Sequence, residues 1–246
     1  MENSLKHISL QLPFSIQQIK KIIIDTIRAG GEKDCIIRVY ISRGPGDFSP
    51  KPEKSIAPQL YVVVTRIKEV EEKKRTKGCS LKISKVPIKD PFFAKIKSCN
   101  YLPNVLMKME CHKYGVDYVV GVDENCRICE GATENFAVIT QNNEFLTPYF
   151  ENILKGSTVC RALDMARDLV KEKRLQGARM GNVYIKDLFD AKEILVFGTT
   201  IDVLPITSFE GKSIGNGRPG EFYHIFYEKF LKDIKENKDL LTPVWS

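Results

Sequence analysis

Apolar residues return at helical spacing in Ile16, Ile19, Ile23 and Ile27, and that stripe predicts a helix over Ser15–Arg28. Ser15 is its expected N-cap and Gly30-Gly31 its end. The period then changes. Cys35–Arg43 alternates as a strand, Gly44-Pro45-Gly46-Asp47 turns the chain, and Gln59–Ile67 and Cys79–Pro87 read as two further strands. One helix and three strands make a small α+β unit, assigned to residues 1–88. The irregular stretch Ile88–Ile96 predicts an inter-domain connection, 89–96. Helical spacing resumes over Leu102–Tyr114, with Pro103 in the first turn and Gly115 after the last. Strands are expected at Tyr118–Asp123, Cys126–Glu130, Phe136–Thr140 and Glu144–Thr147, spaced as in a meander or barrel. A helix from about Thr158 to Lys173 follows. Strands near Ala178–Tyr184, Glu193–Phe197 and Val203–Phe209, a Glu210-Gly211 turn and an amphipathic helix from about Pro219 complete a larger domain, 97–246.

Composition narrows the class. The chain has 246 residues, 43% hydrophobic and 28% charged, with 16 Gly and 12 Pro, which excludes disordered and collagen-like chains. No apolar run approaches the roughly 18 residues of a membrane span, and MENSLKHISL lacks the pattern of a secretory signal. A soluble, intracellular and cytoplasmic protein is expected, with an organelle left open. Lys+Arg at 38 against Asp+Glu at 31 gives +7. The basic clusters are mixed, however: Glu69, Glu71 and Glu72 interrupt Lys68–Lys77, and Lys229–Lys238 lies on the terminal helix. Neither has the aromatic company of a nucleic-acid surface, so both are assigned to solvated faces. Seven cysteines suit buried, reduced thiols. Cys126-Arg-Ile-Cys129 has metal-knuckle spacing without a second pair, so no metal is expected.

His7, His112 and His224 are far apart, and no Ser/His/Asp arrangement or P-loop appears. Four pieces in order remain. Lys97, with apolar residues before it and a small polar turn after it, could be partly desolvated and nucleophilic. Glu130-Gly131 puts a carboxylate at a sharp bend between strands. Gly156-Ser157-Thr158 opens a helix with amides and hydroxyls suited to phosphate. Gly198-Thr199-Thr200 ends an apolar strand with further hydroxyls. Singly these also read as a surface lysine, a loop acid, a helix capped by Ser157 or Thr158, and a strand-ending turn. Together they supply an amine, an acid and two phosphate-binding turns, the inventory that pyridoxal phosphate requires.

The blocks KSCNYLPNVLMKME, EGATENFAVI, FLTPYFENILKGST and GTT…LPI, in this order, resemble the class IV (fold-type IV) pyridoxal-phosphate aminotransferases. That family includes branched-chain aminotransferases, D-amino-acid transaminases and aminodeoxychorismate lyases. ISRGPGDF and NYLPNVL are most similar to its plant D-amino-acid transaminase and lyase group. The resemblance implies an α+β fold with a small N-terminal domain, a larger barrel-like domain and a site between them. It implies pyridoxal 5'-phosphate as cofactor, an amino acid and a 2-oxo acid as substrates, a homodimer, and neither nucleic acid nor membrane as partner. Residue by residue, it makes Lys97 the cofactor's attachment point and general base, and Glu130 the partner of the protonated ring nitrogen. Tyr101 would approach the ring hydroxyl with Glu134 and Asn135 nearby, and Ser157, Thr158, Gly198 and Thr199 would hold the phosphate. Arg38 matches, at low specificity, the place of a carboxylate-binding arginine. The resemblance also implies several dozen residues ahead of Met1, carrying an arginine for the cofactor phosphate that nothing here replaces. Transamination of a branched-chain L- or D-amino acid is the activity expected. Lyase chemistry and a non-catalytic relative are the alternatives.

Overall fold

The computed structural model describes residues 1–12, 14–47, 49–55 and 57–245. Phe48, the last residue of ISRGPGDF, lies outside them. The chain divides into two compact units, Met1–Glu69 with Lys238–Ser246, and Val70–Asn237.

In the first unit a short helix α1 (Glu2–His7) precedes α2 (Ile16–Gly30). Ser15 caps α2 through a reciprocal box with Gln18, and Gly31 ends it at φ 68°, a left-handed value that glycine adopts without strain. β1 (Cys35–Ser42) and β2 (Gln59–Arg66) form an antiparallel ribbon in the register Tyr40↔Tyr61 and Arg38↔Val63. A 3-10 turn at Pro52–Lys54 lies between them.

The second unit carries α3 (Glu72–Thr76), β3 (Cys79–Ile83), α4 (Pro91–Ala94), α5 (Leu102–Tyr114), β4 (Tyr118–Val120), β5 (Asn135–Ile139), β6 (Glu144–Pro148), α6 (Ser157–Lys171), β7 (Gly177–Gly181), α7 (Ile185–Phe189), β8 (Glu193–Gly198), β9 (Asp202–Phe209), β10 (Lys212–Ser213) and α8 (Glu221–Glu236). Its strands make one mixed sheet ordered β4-β3-β9-β8-β5-β6-β7, with β10 on β9. The arm 126–130 bridges the two ends of that sheet. Ile128 faces Val122 and donates its amide to the Val183 carbonyl at 2.7 Å, while Arg127 faces Tyr184. This is the barrel-like closure that the strand spacing suggested. Runs such as Phe136–Ile139 and Ile194–Phe197 are apolar on both sides because the sheet has two buried faces. Phe136, Val138, Ile194 and Val196 point into one core, and Ala137, Ile139, Leu195 and Phe197 pack under α6 and α8 in another.

Three expectations are corrected. β3 pairs in parallel with both β4 and β9, so the third expected strand joins the larger sheet. The division accordingly falls at Glu69/Val70, and residues 70–88 belong with the larger unit, whereas 89–96 contain α4. Cys126–Glu130 is no regular strand. Cys126 sits at φ 59° in a turn where Asp123 Oδ1 accepts the Asn125 and Arg127 amides, both at 2.9 Å. Finally α1 and α7 are too short to give a periodic signal in the sequence.

Candidate active site

The arm that closes the barrel ends at Glu130. Its backbone carbonyl accepts from Gly121 N at 2.9 Å, and Gly131 N donates to the Glu134 carbonyl at 2.8 Å, folding Gly131–Glu134 into a turn before β5. Glu130 Oε2 accepts the Leu154 amide at 2.9 Å. Burial pushes its carboxyl above the ordinary glutamate range, against the opposing pull of that amide and of Lys89 and Lys97. The same acid lines a cleft with Lys89, Pro103, Asn104, Met107 and Gly131.

Asn135 opens β5 and donates Nδ2 to the Leu154 carbonyl at 3.1 Å. Glu130 and Asn135 therefore hold both polar backbone groups of Leu154, three residues before α6. The N-cap of α6 is Gly156, with no side-chain cap. The alternative reading, capping by Ser157 or Thr158, does not hold, and the first amides of α6 are left available to an anion. Gly156 is needed here on steric grounds: a Cβ would overlap Asn135 Oδ1. Asn135 pairs across the ladder with Phe197, so the turn that starts at Gly198 lies at the same sheet end. A Cβ on Gly198 would come within 3.9 Å of the Thr133 carbonyl. Thus Glu130, Asn135, Ser157, Thr158, Gly198 and Thr199 are gathered at one end of the barrel sheet, and Ser157 and Thr199 are exposed there.

Lys97 follows α4, with Ile96 buried beside it, and its own side chain is exposed. Its charge acts on Glu130. Tyr101, the N-cap of α5, is 44% exposed. Glu134 lies against α5. It is 7% exposed, and its Oε1 accepts from Lys108 Nζ and Thr133 Oγ1, both at 2.7 Å. Arg38 lies in the first unit, where it reaches Thr65 Oγ1 at 3.0 Å across the ribbon. Cys129 is buried and its thiol is pushed up to about 12 by that burial, so the Cys126/Cys129 spacing offers no ready thiolate pair.

Several participants carry no sequence signal. The Leu154 amide and carbonyl are backbone groups. Lys108 is linked to Glu134 only by the fold. Asn104 donates Nδ2 to the Ala132 carbonyl and buries its Oδ1 without a partner on the cleft wall beside Glu130.

A half-buried acid at a barrel end, beside an uncapped helix start and a glycine–threonine turn, is suited to a phosphorylated cationic ring, and the residues fit pyridoxal phosphate in kind. The chain belongs to the amino-transferase class IV family, whose model matches residues 1–209. It is 33% identical over 227 residues to the chloroplastic D-amino-acid transaminase of Arabidopsis thaliana, covering 92% of this chain and 60% of that protein. It is 26% identical over 233 residues to a putative branched-chain-amino-acid aminotransferase of Methanocaldococcus jannaschii, covering 95% of this chain and 78% of the other. The fold matches that of the T.th. branched-chain amino acid aminotransferase solved with pyridoxamine 5'-phosphate. There the TM-score is 0.89 at 24% identity, over 99% of this chain and 80% of that one. The chain thus spans about three fifths of the Arabidopsis relative's length.

Proposed function

We propose that this chain is a pyridoxal-phosphate-dependent aminotransferase that moves an amino group between an amino acid and a 2-oxo acid. The observation that carries the reading is the convergence of Glu130, the open start of α6 and the Gly198–Thr199 turn on one sheet end. When bound, the cofactor supplies an electron sink for the pair left behind as the substrate Cα–H breaks. Glu130 keeps a negative charge against the ring nitrogen. The α6 amides with Ser157, Thr158, Gly198 and Thr199 take the phosphate. Lys97 would hold the cofactor covalently, and its free amine would take and return the substrate Cα proton.

The Arabidopsis likeness makes D-amino acids the first substrates to try, and L-leucine the second. The relatives named as aminotransferases favour transamination over lyase chemistry. Among the described residues no helix is long and apolar enough to cross a membrane. A homodimer is part of the proposal. Leu102, Val105, Leu106 and Met109 form an exposed apolar stripe along α5, the kind of surface that a second copy covers.

The test is chemical. Protein incubated with pyridoxal phosphate and reduced with borohydride should carry the pyridoxyl group on Lys97, mapped by peptide mass spectrometry. Incubation with D-alanine or L-leucine plus 2-oxoglutarate should form glutamate. An adduct on Lys89, Lys95 or Lys108 overturns the assignment of Lys97. No adduct and no glutamate favours the non-catalytic reading. Catalytic pyruvate release from aminodeoxychorismate, with neither amino acid reacting, favours the lyase.

A further inference from the structure

Arg75 lies in the mixed run Lys68–Lys77, which the sequence alone assigns to solvent, yet its side chain is mostly covered. From α3 it reaches the start of β9 at two points: the Asp202 carboxylate at 3.9 Å and the Val203 carbonyl at 3.5 Å. The guanidinium also lies 4.4 Å over the Tyr227 ring of α8. Three elements therefore meet on one side chain, in the planar, stacked way that suits arginine and not lysine.

The two residues that it grips face the phosphate seat. Asp202 pairs with Gly198 and Val203 with Phe197 across the β8–β9 ladder. Asp202 also stands at φ 56°, a left-handed value that strains a residue with a side chain and persists only where surroundings hold it. Burial raises the Asp202 carboxyl, and Arg75 is the charge that opposes the rise.

We propose that Arg75 is a positioning residue for the cofactor phosphate. By clamping Asp202 and Val203 it holds their cross-strand partner Gly198, and hence Thr199, in the conformation that receives the phosphate. The proposal rests on the pyridoxal-phosphate reading above.

The experiment is a spectroscopic titration of the 246-residue chain with pyridoxal phosphate and with pyridoxal, which lacks the phosphate. Arg75→Ala should weaken pyridoxal phosphate about tenfold and leave pyridoxal unchanged, since strain of this kind is on the scale of one decade in affinity. Arg75→Lys, the milder change should Arg75→Ala fold poorly, should show the same selective loss at smaller size. Asp202→Gly removes the cost of φ 56°, so adding it to Arg75→Ala should recover most of the lost affinity. Equal loss for both ligands would mean a general folding defect and overturns the proposal, as does unchanged affinity in both Arg75 variants. A wild-type chain that binds neither pyridoxal phosphate nor inorganic phosphate overturns the functional reading with it. Normal wild-type binding with insensitive Arg75 variants overturns this inference alone.

Discussion

On the proposed reading Glu130 stays charged where burial favours the neutral acid. Its folded pKa is raised from 4.5, so the folded chain without cofactor holds the carboxyl proton more tightly than the unfolded chain does. Stability contributed at this residue therefore falls as pH rises from about 4.5 through the raised value, and the cost persists above it. Glu130→Gln has no proton to lose. Thermal melts without cofactor should show the variant gaining on wild type as pH rises from about 4.5 to about 8, and parallel profiles would mean that Glu130 carries no linked proton. With cofactor, the same variant should bind it and transaminate several powers of ten more slowly, because the charge beside the ring nitrogen is gone. Lys97 and Glu130 are legible as candidates because each is a charged residue set beside a bend in an ordered series of motifs. The Leu154 amide is not, since a backbone donor looks the same in every residue. Lys108 is hidden for another reason: its partner Glu134 is 26 positions away, and only the packing of α5 on the barrel brings them to 2.7 Å. Arg75 is misread in the sequence because neighbouring glutamates make its segment look solvated, although one arginine of the run turns inward.

Among the elements, α6 bears most directly on function, and its start depends on the absence of a side chain. Gly156 has φ −68° and ψ 134°, values open to any residue, so the demand is purely steric. In Gly156→Ala the new methyl overlaps Asn135 Oδ1 and must push Asn135 off the Leu154 carbonyl. The expected cost is about 1–3 kcal/mol of stability, as for other overpacked sites, together with weaker pyridoxal phosphate binding. Thermal denaturation and cofactor titration check both, and wild-type affinity in this variant would place the phosphate elsewhere. The sequence marks elements well where end signals are chemical: Ser15 and Gly31 bound α2, and Gly115 at φ 63° ends α5. It marks them poorly where a side chain overrides periodicity. Asp123 gathers two backbone amides and the Arg127 guanidinium, the last at 2.7 Å, and so turns an alternating segment into a bend. The strand expected to reach Pro87 stops at Ile83 for a similar reason, because Glu110 captures the Ser84 hydroxyl at 2.6 Å and the Lys85 amide at 3.0 Å.

For the whole molecule, the fold class is readable from the mixture of periods, and the ownership of β3 is not. A strand flanked in sequence by one unit can pair with the other. Its parallel partners β4 and β9 are set by long-range pairing that local pattern does not carry. The apolar stripe of α5 is likewise a property of the folded chain. Met107 and Cys111 are the buried residues of α5, while Leu102 and Met109 stand 66% and 62% exposed. Four apolar side chains left in water on one helix cost little in stability when replaced, whereas a charge placed among them is expensive once a second copy covers it. The pair Val105→Asp and Met109→Lys, four residues apart, keeps the net charge and supports the helix through an i,i+4 contact. Wild-type protein should run in light scattering at about twice 28.0 kDa. The double variant should run as a single chain with an unchanged circular-dichroism spectrum. A wild-type monomer, or a variant that stays dimeric, removes α5 from the interface. If the variant is monomeric yet still takes pyridoxal phosphate at wild-type affinity, the phosphate seat built from α6 and the β8–β9 turn is complete within one chain.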